Sequence, residues 1–369
     1  MRLAAGLASL ALATAAAMPD PPPQADAILL LIGDAGNPDR RGEPVLRALT
    51  REAARDPLRT VVLFLGDNVY PRGLPRPGAP GRAEAERRLA AQVDAVRLAG
   101  ARAVFVPGNH DWDMDGEDGW NAVRRQAEFV RDRNAPGIEY LPHDGCPGPE
   151  VRDIGAQLRL LLLDTQWFLH AFDKPRDPES GCAADSEAEV KEALRRVVGD
   201  AGDRKVLVAA HHPLATGGPH GGRFTTRQHV FPLTDWKPWL WIPLPGIGSI
   251  YPAARKGGVS AQDLSSEENQ RMRSLVRESF ETRRPLAWVS GHEHSLQVIA
   301  GGTPQFVLVS GAGIHGHTSP VRQVEGTRFA AAEAGFMRIV FARETAPRLS
   351  VLVVDKKGNS TERFGMDLK

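Results

Sequence analysis

Residues 63–73 read LFLGDNVYPRG, an apolar run that stops at a glycine and gives way to a carboxylate, an amide and a phenol. An apolar run without alternation marks a strand buried on both faces, as in a sheet covered by helices. Asp67, Asn68 and Tyr70 then sit just past the carboxyl end of such a strand, where open α/β sheets assemble their sites. Tyr70 is one of only three tyrosines in the chain. Either its ring closes off the strand end, or its phenolate binds a metal.

The same pattern recurs on both sides. AILLLIGD (27–34), AVFVPGNHD (103–111), LRLLLLDTQ (158–166), KVLVAAHHP (205–213) and LAWVSGHEH (286–294) are short aliphatic runs ending in polar residues. Between them lie helix-like stretches at 43–56, 81–100, 186–200 and 267–284. The second carries Leu89, Val93 and Val96 at amphipathic spacing. Later runs, TPQFVLVSG (303–311), FMRIVFA (336–342) and RLSVLVVD (348–355), read as strands, the last two joined as an antiparallel hairpin. Strands alternating with helices, followed by a β-rich end, predict an α/β fold: a sheet, or two packed mixed sheets flanked by helices.

The 369 residues are 42% hydrophobic and 25% charged, the balance of a globular protein. Residues 1–23, MRLAAGLASLALATAAAMPDPPP, have a basic start, a small apolar run, an A-x-A-like site and a proline stop. They read as a signal peptide with a proline-rich linker, hence secretion or a periplasmic location; an uncleaved anchor is the alternative. Residues 24–369 read as a single domain with an insert at about 224–263. Loss of Arg2 with the signal takes the formal net charge from +1 to about zero, which argues against a nucleic-acid binder working by bulk electrostatics. Cys146 and Cys182, both in loop-like sequence, form either one disulfide or two free thiols.

The strand ends gather one set of donors: Asp34, Asp67, Tyr70, Asn109, His211 or His212, His292 and His294. Carboxylate, amide oxygen and imidazole suit hard or borderline first-row metals. The blocks GDAG, GDNVY, GNHD, HHP and GHEH, in this order between residues 34 and 294, resemble the calcineurin-like metallophosphoesterases. GDAG lacks the histidine usual in that group's first block. With Tyr70 three residues after Asp67, this narrows the resemblance to the small single-domain purple acid phosphatases.

The resemblance implies a four-layer αββα sandwich and two metal ions. A ferric ion (Fe3+) would be held by Asp34, Asp67, Tyr70 and His294. A divalent ion (Fe2+, Zn2+ or Mn2+) would be held by Asp67, Asn109, His211 and His292, with Asp67 bridging. It also implies hydrolysis of phosphate monoesters by an activated water at acid-shifted pH. His110 would assist the leaving group, and His220 would stand at the second outer histidine position. A phosphodiesterase or pyrophosphohydrolase on the same ions, or a non-catalytic surface-binding protein, are the rival readings. Asp111 is expected to cap a helix or to accept from a ligand imidazole. Asn68 is expected to bind a loop; His315 and His317 in GAGIHGH form a metal-like pair, but no ligand of the family falls there and they are expected to be loop residues without a role. GGPHGG lacks the spacing of a nucleotide-binding loop. The insert carries Trp236, Trp239 and Trp241 among prolines. It forms a pocket rim, contacts a membrane surface or a protein partner, or folds onto its own domain with buried tryptophans.

Overall fold

The computed structural model describes residues 25–176, 180–234 and 239–369. The expected signal segment and Trp236 lie outside these residues. Strands β1 (Ala25–Ile32), β2 (Thr60–Leu65), β3 (Arg102–Val106) and β4 (Ile138–Tyr140) come first. They are followed by β5 (Glu150–Ile154), β6 (Leu158–Leu162), β7 (Lys205–Ala209), β8 (Ala287–Ser290), β9 (Leu296–Ala300), β10 (Phe306–Ser310) and β11 (Thr327–Ala331). The chain ends on β12 (Gly335–Ala342), β13 (Arg348–Val354) and β14 (Ser360–Asp367). They form two seven-stranded mixed sheets, in the orders β14-β13-β12-β1-β2-β3-β4 and β11-β9-β10-β8-β7-β6-β5. The hairpin expected near the end is the antiparallel β12–β13 pair.

The uninterrupted apolar runs have a direct cause. In β1, Leu29 and Leu31 face the second sheet, packing in one core with Leu160, Leu207 and Val289. Leu30 and Ile32 face the opposite way, into a core shared with Val45, Leu89 and Val93 of the covering helices. A strand squeezed from both sides has no polar position left. Helices α1 (Pro44–Ala53), α2 (Arg82–Ala99) and α3 (Gly119–Asp132) lie against the first sheet. On the second, Val190 and Leu194 of α5 (Glu187–Gly199) and Met272 and Val276 of α8 (Glu267–Ser279) close the outer core over Val206, Val208 and Trp288. The short α4 (Gln166–Leu169) packs beside α8. Helices α6 (Thr226–Val230) and α7 (Ile250–Lys256) belong to the insert. The result is the four-layer sandwich expected from the sequence.

Cys146 and Cys182 are joined in a disulfide, 36 residues apart in the chain. Closing a loop of that length removes about 3–4 kcal/mol of unfolded-state entropy. The Cys146→Ala/Cys182→Ala chain is therefore expected to unfold at a clearly lower urea midpoint, by roughly that free energy.

The candidate metal centre

Parallel strands β1, β2 and β3 of one sheet, and β7 and β8 of the other, end on the same edge of the sandwich, and every expected ligand but Tyr70 falls within four residues of such an end. The two sheets meet closely there. A Cβ on Gly33 would lie 2.8 Å from the Cα of Gly291, so only glycine lets the two loops touch. Asp34, Asp67 and His292, each just after a glycine, hold left-handed backbone at φ of 58°, 55° and 67°. Such conformations cost on the order of 1–3 kcal/mol each and persist where the surroundings impose them, often at functional sites.

The donor atoms converge in two groups. The Tyr70 hydroxyl lies 3.1 Å from Asp34 Oδ1, 3.1 Å from Asp67 Oδ2 and 3.2 Å from His294 Nε2. In the second group, Asn109 Oδ1 lies 3.0 Å from His211 Nε2 and 3.1 Å from His292 Nδ1, and these two nitrogens are 3.1 Å apart. Asp67 Oδ1 is 3.4 Å from His211 Nε2, so this one carboxylate spans both groups. Ligand atoms about 2.0–2.2 Å from one ion are separated by about 3 Å, the spacing seen here.

Protonation supports the fit. His211 has its Nδ1 on the Leu65 carbonyl at 2.8 Å, and His292 its Nε2 on the Gln262 carbonyl at 3.1 Å. Those nitrogens must donate, so the lone pairs of Nε2 in His211 and Nδ1 in His292 point at the site. Burial pushes the His294 pKa down to about 4 and lowers that of His292, keeping both rings neutral ligands. Burial and the charge of Asp67 raise Asp34, whose buried Oδ2 has no hydrogen-bond partner among the described residues. Burial with the charges of Asp34 and Asp67 likewise raises Tyr70 well above 10. Two crowded carboxylates and a phenol are a poor arrangement alone and a good one around cations, which reverse each of these penalties. The residues present fit two metal ions.

His212 also comes close enough to His211 and His292 to share an ion. Both its nitrogens are engaged, however, Nδ1 with Thr165 Oγ1 at 2.8 Å and Nε2 with Gln262 Oε1 at 2.7 Å. His211 is the geometrically competent donor. Asn68 binds the loop as expected, through the Val106 carbonyl and Asp111. Among the described residues Asp111 caps no helix and meets no imidazole. Its carboxylate accepts from the backbone N–H groups of Asn68, Val69 and Gly108, which ties the Asp67 loop to the Asn109 loop.

The two candidate catalytic histidines flank the donor groups. His110 donates its backbone N–H to Asp67 Oδ1 at 2.9 Å, its Nδ1 meets the Pro71 carbonyl at 2.7 Å, and its ring lies over Tyr70. The His220 ring packs on His292 with centroids 4.0 Å apart. His315 stays apart, its backbone N–H on Glu43. His317, read from the sequence as a loop residue without a role, instead packs its ring 4.1 Å from that of His294 and 5.2 Å from that of Tyr70. A cavity of about 530 Å³ opens beside these groups, walled by His294 and His317 on one side and by Phe224, Tyr251 and Arg255 of the insert on the other. Trp239 and Trp241 are 72% and 55% exposed, so the buried-tryptophan reading of the insert fails for these two.

The family profile of the calcineurin-like phosphoesterases matches residues 27–296, and the chain belongs to that family. Among solved structures, the fold is similar to "GAP50 the anchor in the inner membrane complex of Plasmodium", at 12% identity and a TM-score of 0.55, covering 93% of this chain and 89% of that one. It is also similar to the purple acid phosphatase PPD1 from yellow lupin (Lupinus luteus) seeds, at 12% identity and a TM-score of 0.53. That match covers 92% of this chain but 53% of the lupin chain. No curated protein matches the chain.

Proposed function

We propose that the chain is a secreted or periplasmic phosphatase that hydrolyses phosphate monoesters at a centre of one ferric and one divalent ion. The observation that carries this reading is the bridging of two donor groups by Asp67, one of them containing Tyr70. Anionic oxygen suits a hard trivalent ion, whereas the amide and two imidazoles suit Fe2+, Zn2+ or Mn2+. When bound, two such ions clamp a phosphoryl group and lower the pKa of a shared water.

The chain's own residues supply the rest. His110, whose Nδ1–H donates to the Pro71 carbonyl, gives its Nε2 proton to the departing ester oxygen as the imidazolium. His220, at the cavity wall, donates to the phosphoryl oxygens as their charge grows. Secretion follows from the reading of residues 1–23 and agrees with the disulfide. Residues 24–369 act as one domain in which the insert at 224–263 shapes the substrate pocket, and no nucleic-acid partner is expected.

Turnover of an aryl phosphate monoester beside the matching diester, across pH, tests the proposal. Preferred monoester hydrolysis with an optimum below neutral is expected. A diester preference would shift the assignment to a phosphodiesterase or pyrophosphohydrolase, and a maximum above about pH 9 would contradict ferric iron. One observation favours a second, non-catalytic reading. Trp239, Trp241, Ile247 and Ile250 are exposed on the insert, and one fold relative is named as an anchor. No hydrolysis by metal-loaded protein that binds vesicles or a protein partner tightly would select it.

A further inference from the structure

The insert does not end at the cavity rim. Its last residues run back beneath the site, where Gln262 meets His212 through its side chain and His292 through its carbonyl. The next residue, Asp263, is 1% exposed and carries a carboxylate. Its Oδ1 lies 3.2 Å from His220 Nδ1. The Arg255 guanidinium grips both oxygens of that carboxylate and places one nitrogen 3.0 Å from the same Nδ1. Around the ring, the Leu264 N–H donates to the His220 carbonyl at 2.9 Å, and the His220 N–H to Glu293 Oε2 at 3.1 Å.

His220 sits in a glycine-rich loop with only a short 3₁₀ turn, Pro219–Gly221, to order it. Such a segment does not by itself fix an imidazole. Here the ring is held by its Nδ1 edge and by its face on His292. Among the described residues no hydrogen bond reaches its Nε2. We infer that Asp263 is the positioning residue of His220, acting through Arg255: it holds the guanidinium whose N–H donates to Nδ1, which leaves the ring proton on Nε2, presented to a phosphoryl oxygen. The insert thus completes the catalytic cleft. A buried carboxylate that orients a catalytic imidazole contributes by keeping it in reach of the transition state, without touching substrate.

This inference rests on the phosphatase reading, and a double-mutant cycle separates the two. Asp263→Asn, His220→Ala and the double variant are loaded with metal, analysed for metal content, and assayed for kcat and KM on an aryl phosphate monoester. Asp263→Asn is expected to lose about tenfold in kcat with metal content unchanged. In the His220→Ala background the same substitution is expected to change kcat by less than about twofold. Additive losses in the cycle would overturn the positioning role alone. A wild type without turnover on any phosphate ester would overturn the phosphatase reading and this role with it. Should Asp263→Asn lose metal, the Asp263→Asn/Arg255→Gln chain, which removes both charges, takes its place in the cycle with the same outcomes.

Discussion

Asp67→Asn is expected to release both ions and to lower kcat/KM on a phosphate ester by about a thousandfold or more. Asp67 is the one residue whose two oxygens serve different groups, Oδ2 toward Tyr70 and Oδ1 toward His211. Burial opposes its ionisation, but the His211 and His110 imidazoles and the His110 backbone N–H hold its pKa at about 2. Asparagine keeps the shape, offers one oxygen instead of two and carries no charge. Two-metal stabilisation of a transferring phosphoryl group is worth several kcal/mol, and about 4 kcal/mol is already a thousandfold. Elemental analysis should fall from about two ions per chain to below one, with the circular dichroism spectrum retained. A variant that keeps two ions and most of its activity would remove Asp67 from the bridging position.

Gly108→Ala is expected to do comparable damage without changing a ligand. A Cβ at Gly108 would fall 2.4 Å from the Asp67 backbone nitrogen, 2.4 Å from Asp67 Oδ1 and 2.8 Å from His211 Cε1. Contacts that short do not exist, and all three involve groups already fixed, Asp67 by its left-handed backbone and its bond from the His110 N–H, and His211 by its bond to Leu65. One ligand of each ion must therefore move by several tenths of an ångström, which a preorganised site does not tolerate. Metal content and kcat/KM are expected to fall together, the latter by on the order of a hundredfold or more. Activity near that of the wild type would mean that the loops carrying Asp67 and Asn109 are looser than their packing indicates.

The sequence disclosed most where one physical demand acted alone. Strands such as β1, β2 and β7 are covered on both faces, so past their first one or two residues every position is apolar and the runs stand out. Strand β5, Glu-Val-Arg-Asp-Ile, is a sheet edge with its charges in ion pairs, and β14 is another edge with mostly exposed residues, so neither shows the apolar pattern. Helix α3 escaped notice because its buried stripe includes Gln126, whose amide binds the Asp111 carbonyl, among few aliphatic residues. The donors were legible because each follows a strand that announces itself. Gln262, Asp263 and His317 were not. They reach the site through an insert and a long loop, and nothing in the neighbouring sequence marks their carbonyl, carboxylate or ring as part of it. For His317, the signal within reach was its place seven residues after the end of β10, a strand whose neighbour β8 delivers His292.

Tyr70 is the residue that, in the proposed reading, separates this centre from other two-metal sites. Buried and with two carboxylates against it, its hydroxyl keeps its proton unless a hard cation takes the oxygen. The visible spectrum of the purified native protein, beside that of Tyr70→Phe, tests this directly. A violet wild type whose colour is lost in the variant is the predicted result, from a phenolate bound to ferric iron. A colourless wild type holding two divalent ions would contradict the assignment of Tyr70 and of ferric iron.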